Sequence, residues 1–129
     1  MKATELMIGD WVLTIMNKPV QVVGLTTDCI ETTEKEGFFF EDYYDPIPLT
    51  PEILEKNGFT KMDGFTNAYQ WWNKNKAHSI ELFFYFGGDI GGILKINIEY
   101  YNKIDMRVDY VHELQHALKL CKINKEIVL

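Results

Sequence analysis

Ile80-Glu81-Leu82-Phe83-Phe84-Tyr85-Phe86, then Gly87-Gly88-Asp89-Ile90-Gly91-Gly92, then Leu94-Lys95-Ile96-Asn97-Ile98: the fold turns on this stretch. Ile80, Leu82, Phe84 and Phe86 recur at period two, as do Leu94, Ile96, Ile98 and Tyr100, so each set lies on one face of a strand. The opposite face carries Ser79, Glu81, Phe83 and Tyr85 from one strand, and Lys95, Asn97, Glu99 and Tyr101 from the other. The glycine-rich joint makes the pair a hairpin with one apolar face and one mixed face. Tyr69 to Trp72 and Lys103 to Val108 are expected beside it as further strands. A helix over Tyr110 to Cys121, capped by Asp109, and a short edge strand over Glu126 to Leu129 complete this half.

Upstream, residues 10–49 read as short strands broken by Asn17-Lys18-Pro19, Thr27-Asp28 and Glu34-Lys35-Glu36-Gly37, and ended by Pro46 and Pro48. Strands of this length and spacing suggest a small SH3-like antiparallel barrel. Between the halves, Thr50 is a good N-cap, Pro51 fits the first helical position and Gly58 suits the left-handed end, which predicts a short helix. The expected architecture is α+β. It comprises a barrel over 1–48, a linking helix over 49–60, and a sheet with one C-terminal helix packed on it over 61–129.

The 129 residues are 47% apolar and carry a net charge of −6, enough apolar material for a core and too much for a disordered chain. The charge is local. Residues 28–45 hold Asp28, Glu31, Glu34, Glu36, Glu41, Asp42 and Asp45 against Lys35 alone, a net of −6. An acidic balance argues against general nucleic-acid binding and against docking on an anionic membrane. It reads either as solvated strand positions that guard sheet edges or as a face for a basic partner. No signal-peptide run opens the sequence, Ile80 to Ile98 is too broken by charge and glycine to span a membrane, and Cys29 and Cys121 form no CxxC pair. A cytoplasmic protein with reduced thiols is expected.

His112-Glu113-Leu114-Gln115-His116 matches HExxH, in which two histidines on one helix face bind zinc and the glutamate polarises a metal-bound water. On a helical wheel of about 100° per residue, however, Val111, Leu114, Ala117, Leu118 and Cys121 form the apolar arc and both histidines fall nearly opposite it. They are therefore expected in solvent. A third ligand is also missing, since Lys119 and Lys122 stand where the extended motif needs glycine and histidine. The match reads as a solvated helix face, with no metal, no cofactor and no catalytic residue expected. A metal-dependent hydrolase using His112, Glu113 and His116 is the rival.

The Gly87–Gly92 joint lacks a GK[ST] ending and precedes a strand, so it offers no helix N-terminus to a phosphate. Trp71 and Trp72 are adjacent in a strand and must face opposite ways. Trp72, Phe83, Tyr85 and Tyr101 are thus expected to form an aromatic interaction surface on the mixed face, or the seat of the barrel. Trp72 with Lys74 and Lys76 is a thin basis for single-stranded nucleic-acid binding.

The segment Pro46-Ile47-Pro48-Leu49-Thr50-Pro51-Glu52-Ile53-Leu54-Glu55-Lys56-Asn57-Gly58-Phe59 carries a family resemblance, with Tyr110-Val111-His112-Glu113-Leu114-Gln115 and the opening Lys2-Ala3 through Gly9-Asp10-Trp11-Val12. On these segments the chain resembles a family of short uncharacterised bacterial proteins of Bacteroides-type genomes, often found near prophage or other mobile elements. The resemblance implies no activity. It implies that asparagine often replaces His116, so that the helix persists without a second metal ligand. Together these readings lead to a cytoplasmic, non-enzymatic interaction module, an accessory of a mobile element. Its expected partner is a protein, basic if it meets the acidic segment, or a second copy of the chain.

Overall fold

The computed structural model describes residues 1–73, 77–84, 91–99 and 101–129, with the backbone alone described at 35, 102 and 103. Tyr85, Phe86, residues 87–90, Tyr100, Lys74 and Lys76, all of which enter the sequence expectations, lie outside these residues. The chain is α+β, mostly two antiparallel sheets with few helices, and divides into two compact units, 1–47 and 48–129. Among the described residues no helix is long and apolar enough to cross a membrane.

The first unit is a meander of β1 (Trp11–Thr14), β2 (Pro19–Leu25), β3 (Cys29–Thr32), β4 (Lys35–Phe40) and β5 (Tyr44–Pro46), in the order β4-β3-β2-β1-β5. β4 and β5 are its two edges, so the described sheet is open. Alternation puts Val12, Val20, Val22 and Ile30 inside, where they join Ala3, Leu6 and Tyr44 in one cluster. Polar side chains fix the turns. Thr14 Oγ1 accepts from Met16 N and Lys18 N, and Asp10 Oδ2 accepts from Met7 N at 2.8 Å.

In the second unit α1 (Pro51–Lys56) has the punctuation the sequence predicts. Thr50 Oγ1 accepts from Ile53 N, Pro51 opens the helix and Gly58 follows its end at φ +83°. Next come β6 (Thr60–Lys61), β7 (Ala68–Asn73), β8 (His78–Phe84), β9 (Gly92–Ile98), β10 (Tyr101–Val108) and α2 (Val111–Leu120), with the sheet ordered β10-β9-β8-β7-β6. The register stacks Trp71, Ile80, Ile96 and Ile104 in one row and Tyr69, Leu82, Leu94 and Met106 in another. These rows share a face, and Ile80, Leu82, Leu94 and Ile96 are fully buried on it. α2 buries Val111, Leu114, Ala117 and Leu118. Its end meets the same face, where Leu120 and Cys121 line a hollow of about 300 Å³ with Ile98 and Ile104.

Two expectations about the C-terminal segment are corrected. The expected strand over 126–129 is irregular chain held by one side chain. Asn57 Nδ2 donates to Val128 O at 2.9 Å, and Val128 N donates to Asn57 Oδ1 at 2.7 Å. A primary amide offers the same donor and acceptor as a peptide unit, so it substitutes for a strand neighbour. The expected cap of α2 also shifts, because Tyr110 is the N-cap and the Asp109 carboxylate instead pairs with Arg107 Nε at 3.0 Å.

Candidate functional site

The HELQH segment lies on α2, yet its histidines are not both in solvent. His112 is only 6% exposed, with its ring stacked on Tyr110 at 5.9 Å and edge-on to His116 at 5.5 Å; His116 is half-buried. The wheel fails here because it assumes one covering layer. At the first turn of a helix the incoming chain adds a second cover. That chain is itself fixed by the Pro48–Tyr110 bridge and the Leu49 N–Asp109 O hydrogen bond. Glu113 Oε1 accepts from both Asp109 N and Tyr110 N at 2.9 Å. The carboxylate thus satisfies backbone donors that a helix start leaves open. Among the described residues no group of three or more His, Cys, Asp or Glu side chains is placed to hold a metal ion.

On the mixed face of the second sheet the register divides the expected aromatic set. Trp72 pairs with Ser79, which pairs with Asn97; Ala68 pairs with Phe83, which pairs with Ile93. Trp72 and Phe83 therefore share this face. Tyr101 does not, because it pairs with Ile98 in the row of the opposite face. The alternation drawn from Leu94 to Tyr101 runs past the end of β9, where the chain turns at Glu99 with φ +52°, so the period resets. Phe83 is half-buried, with Phe65 edge-on at 5.5 Å and Lys95 Nζ 5.8 Å from its centroid. Trp71 faces the other way beneath Lys125, whose Nζ lies 4.7 Å from the ring. Among the described residues, that leaves Trp72, 46% exposed, as the accessible member of the expected set on this face.

Trp72 stands at a cleft of about 240 Å³ that it lines with Ala77, Ser79, Glu81 and Asn97. Asn97 Nδ2 donates to Ser79 Oγ at 3.2 Å, which orients the amide. An indole face, a carboxylate, a hydroxyl and an amide converge there. That set can stack on a flat or cationic group and hydrogen-bond its polar edge. The sequence places Ser79, Glu81 and Asn97 on the mixed face, but their strands become neighbours of Trp72 only through the β7–β8–β9 pairing.

The acidic segment forms β3, β4 and the turns around them. Two of its carboxylates serve the fold, with Glu31 Oε2 accepting from Gly37 N at 2.7 Å and Glu41 Oε2 from Ala3 N at 2.8 Å. Asp28, Glu34, Glu36, Asp42 and Asp45 are exposed. Among them Phe38 is 49% and Phe40 70% exposed. Phe38-Phe39-Phe40 follows the Glu34–Gly37 turn and lies in β4. Alternation puts Phe38 and Phe40 on the face opposite Phe39, so a sheet with one buried face cannot bury all three. Burial, and next the Asp28 side chain, push the Cys29 thiol above its ordinary value.

Comparison with protein-family models, curated proteins and solved structures gives no match to this chain.

Proposed function

We propose that the chain is a non-enzymatic protein-interaction module, a cytoplasmic accessory protein of a bacterial mobile element or prophage. The observation that carries this reading is Trp72, a large aromatic held in solvent on a regular strand beside a polar cleft. Such residues cost solubility when they serve no contact, and tryptophan anchors dominate binding energy at interfaces. The carboxylate of Glu113 on the backbone at the start of α2, and the packing of His112 on Tyr110, supply structural reasons for these two residues of the HExxH match.

Within this reading the first unit is SH3-like. The order β4-β3-β2-β1-β5, the 3₁₀ turn at Glu41–Tyr43 between β4 and β5, and the register shift between Val22 and Gly24 in β2 support it. A shift of that kind bends a strand, so that one strand can serve two halves of a small barrel.

The test uses the immobilised full chain, wild type against Trp72→Ala, on lysate of a host bacterium, alongside size-exclusion chromatography and a hydrolase substrate screen. A specific partner or self-association that is lost in Trp72→Ala, with thermal stability unchanged, is the expected result. Turnover of a substrate without any partner would overturn it. So would stoichiometric zinc in untagged protein that is lost on His116→Ala, which would install the hydrolase instead. Steeply salt-dependent binding of single-stranded nucleic acid would replace the protein partner with a nucleic acid.

A further inference from the structure

β4 is an edge strand whose inner side is hydrogen-bonded to β3. The bonding pattern fixes which of its residues look outward. Glu41 N donates to Asp28 O at 2.9 Å, and Cys29 pairs with Phe40 and Ile30 with Phe39. Hydrogen-bonded and non-bonded pairs alternate along an antiparallel ladder, so 28/41 and 30/39 are bonded pairs and 29/40 is not. Cys29 agrees, because its N–H donates to Thr26 Oγ1 and its carbonyl accepts from Thr26 N, both at 3.0 Å. The peptides on either side of Phe39 therefore turn the Phe38 C=O and the Phe40 N–H away from β3, while the Phe40 C=O serves the 3₁₀ turn that follows and the ladder shifts register between Phe39 and Lys35. The same two residues present the exposed rings. Phe38 lies across Gly24, where its Cζ would be only 3.1 Å from an added Cβ, so a side chain there would crowd the ring.

Edges of this kind are ordinarily protected by charge. Here the charge is mostly negative. Glu36 and Asp42 flank the two phenylalanines in sequence and Asp28 stands opposite Glu41, all three exposed, in a segment that holds seven carboxylates and one lysine; Glu34 pairs with Lys18 at 3.7 Å. Such an edge repels a second copy of itself and attracts a basic strand.

We propose that β4 is a docking edge for an extended, basic segment of a partner protein. That segment is added as a further strand along Phe38–Phe40, with apolar residues on the two rings and lysine or arginine among the carboxylates. Backbone pairing supplies affinity and the side chains supply selection. An arginine laid over Phe40 adds a cation–π contact. The inference rests on the reading of the chain as an interaction module but uses a surface separate from the Trp72 cleft.

The full chain is titrated with a fluorescent peptide alternating lysine and valine, and with a control alternating glutamate and valine. Anisotropy reports affinity and backbone amide spectra report location. Phe40 sits at φ −58° and ψ 145°, which proline adopts without strain, and its N–H is not used by β3. Phe40→Pro therefore removes the outward donor and leaves the sheet intact, while Phe40→Val removes the ring and keeps the donor. The lysine peptide is expected to bind, with shifts centred on 36–40, and the glutamate peptide is expected not to. Phe40→Val weakens binding several-fold, and Phe40→Pro weakens it by roughly a further tenfold, the order of one lost hydrogen bond. Equal binding to Phe40→Pro and Phe40→Val, or no binding to the wild type, overturns the proposal. Binding that survives Phe40→Pro but is lost in Trp72→Ala also overturns it, while leaving the interaction-module reading in place.

Discussion

The two units differ in how they are held and in what they expose. Residues 1–47 carry three lysines against nine carboxylates, and residues 48–129 carry ten basic groups against ten, so the whole net charge of −6 belongs to the smaller unit. A unit of that size buries little surface. It ties its turns with side-chain acceptors such as Thr14, Asp10, Glu31 and Glu41. The larger unit rests on rows of branched residues across four strands, closed by α2 and by the Asn57–Val128 clamp. Their candidate contacts follow the same division. The acidic unit offers backbone and rings at an edge, and the neutral unit offers a cleft with one tryptophan.

The strongest challenge to this contrast is truncation of each core. Leu82 and Ile30 are fully buried, and Leu82→Ala or Ile30→Ala is expected to cost about 2–5 kcal/mol in urea denaturation. A cost under about 1 kcal/mol at either site would mean that the residue sits in no tight core.

Next in size is Asn57→Ala, which breaks two part-buried hydrogen bonds spanning 71 residues, at about 0.5–1.5 kcal/mol each. Faster amide exchange at Val128 should accompany the loss. His112→Ala should cost about 1–2 kcal/mol and His116→Ala under about 0.5 kcal/mol, because the first ring is buried and the second only partly so. Equal costs would restore the view of a solvated histidine face.

One pH effect should be common to both units. Burial raises the phenol of Tyr44 in the first and, with Glu55 adding to it, that of Tyr69 in the second, each above the ordinary value of 10.0. A raised folded value means that the fold favours the protonated form. Its contribution to stability is complete below pH 10 and is lost as pH rises through the folded value. Denaturation midpoints that hold steady at alkaline pH would contradict it. The smallest effect is electrostatic. Raising ionic strength from about 0.01 to 1 M shortens the screening length from about 30 to 3 Å. It should stabilise the acidic unit by a few tenths of a kcal/mol more than the neutral one.

What the sequence determined by itself is what local rules reach. Thr50, Pro51 and Gly58 act within one helix and are where punctuation puts them. The alternation of Ile80, Leu82 and Phe84 against Leu94 and Ile96 names the buried face, because a strand has only two faces and burial selects one. The confinement of charge to 28–45 needs no structure at all.

Tertiary structure decided the rest. His112 is covered by chain entering the helix, which a wheel does not contain. Tyr101 changed face because a turn at Glu99 reset the period. Asn57 met Val128 across 71 residues, and Ser79, Glu81 and Asn97 met Trp72 only through strand pairing. Phe38 and Phe40, which alternation puts on one face, became the proposed docking edge only once the ladder to β3 turned the Phe38 carbonyl and the Phe40 N–H outward. Periodicity fixes the direction of a side chain relative to its own element. What lies in that direction depends on contacts between residues far apart in the chain, and those are made only when it folds.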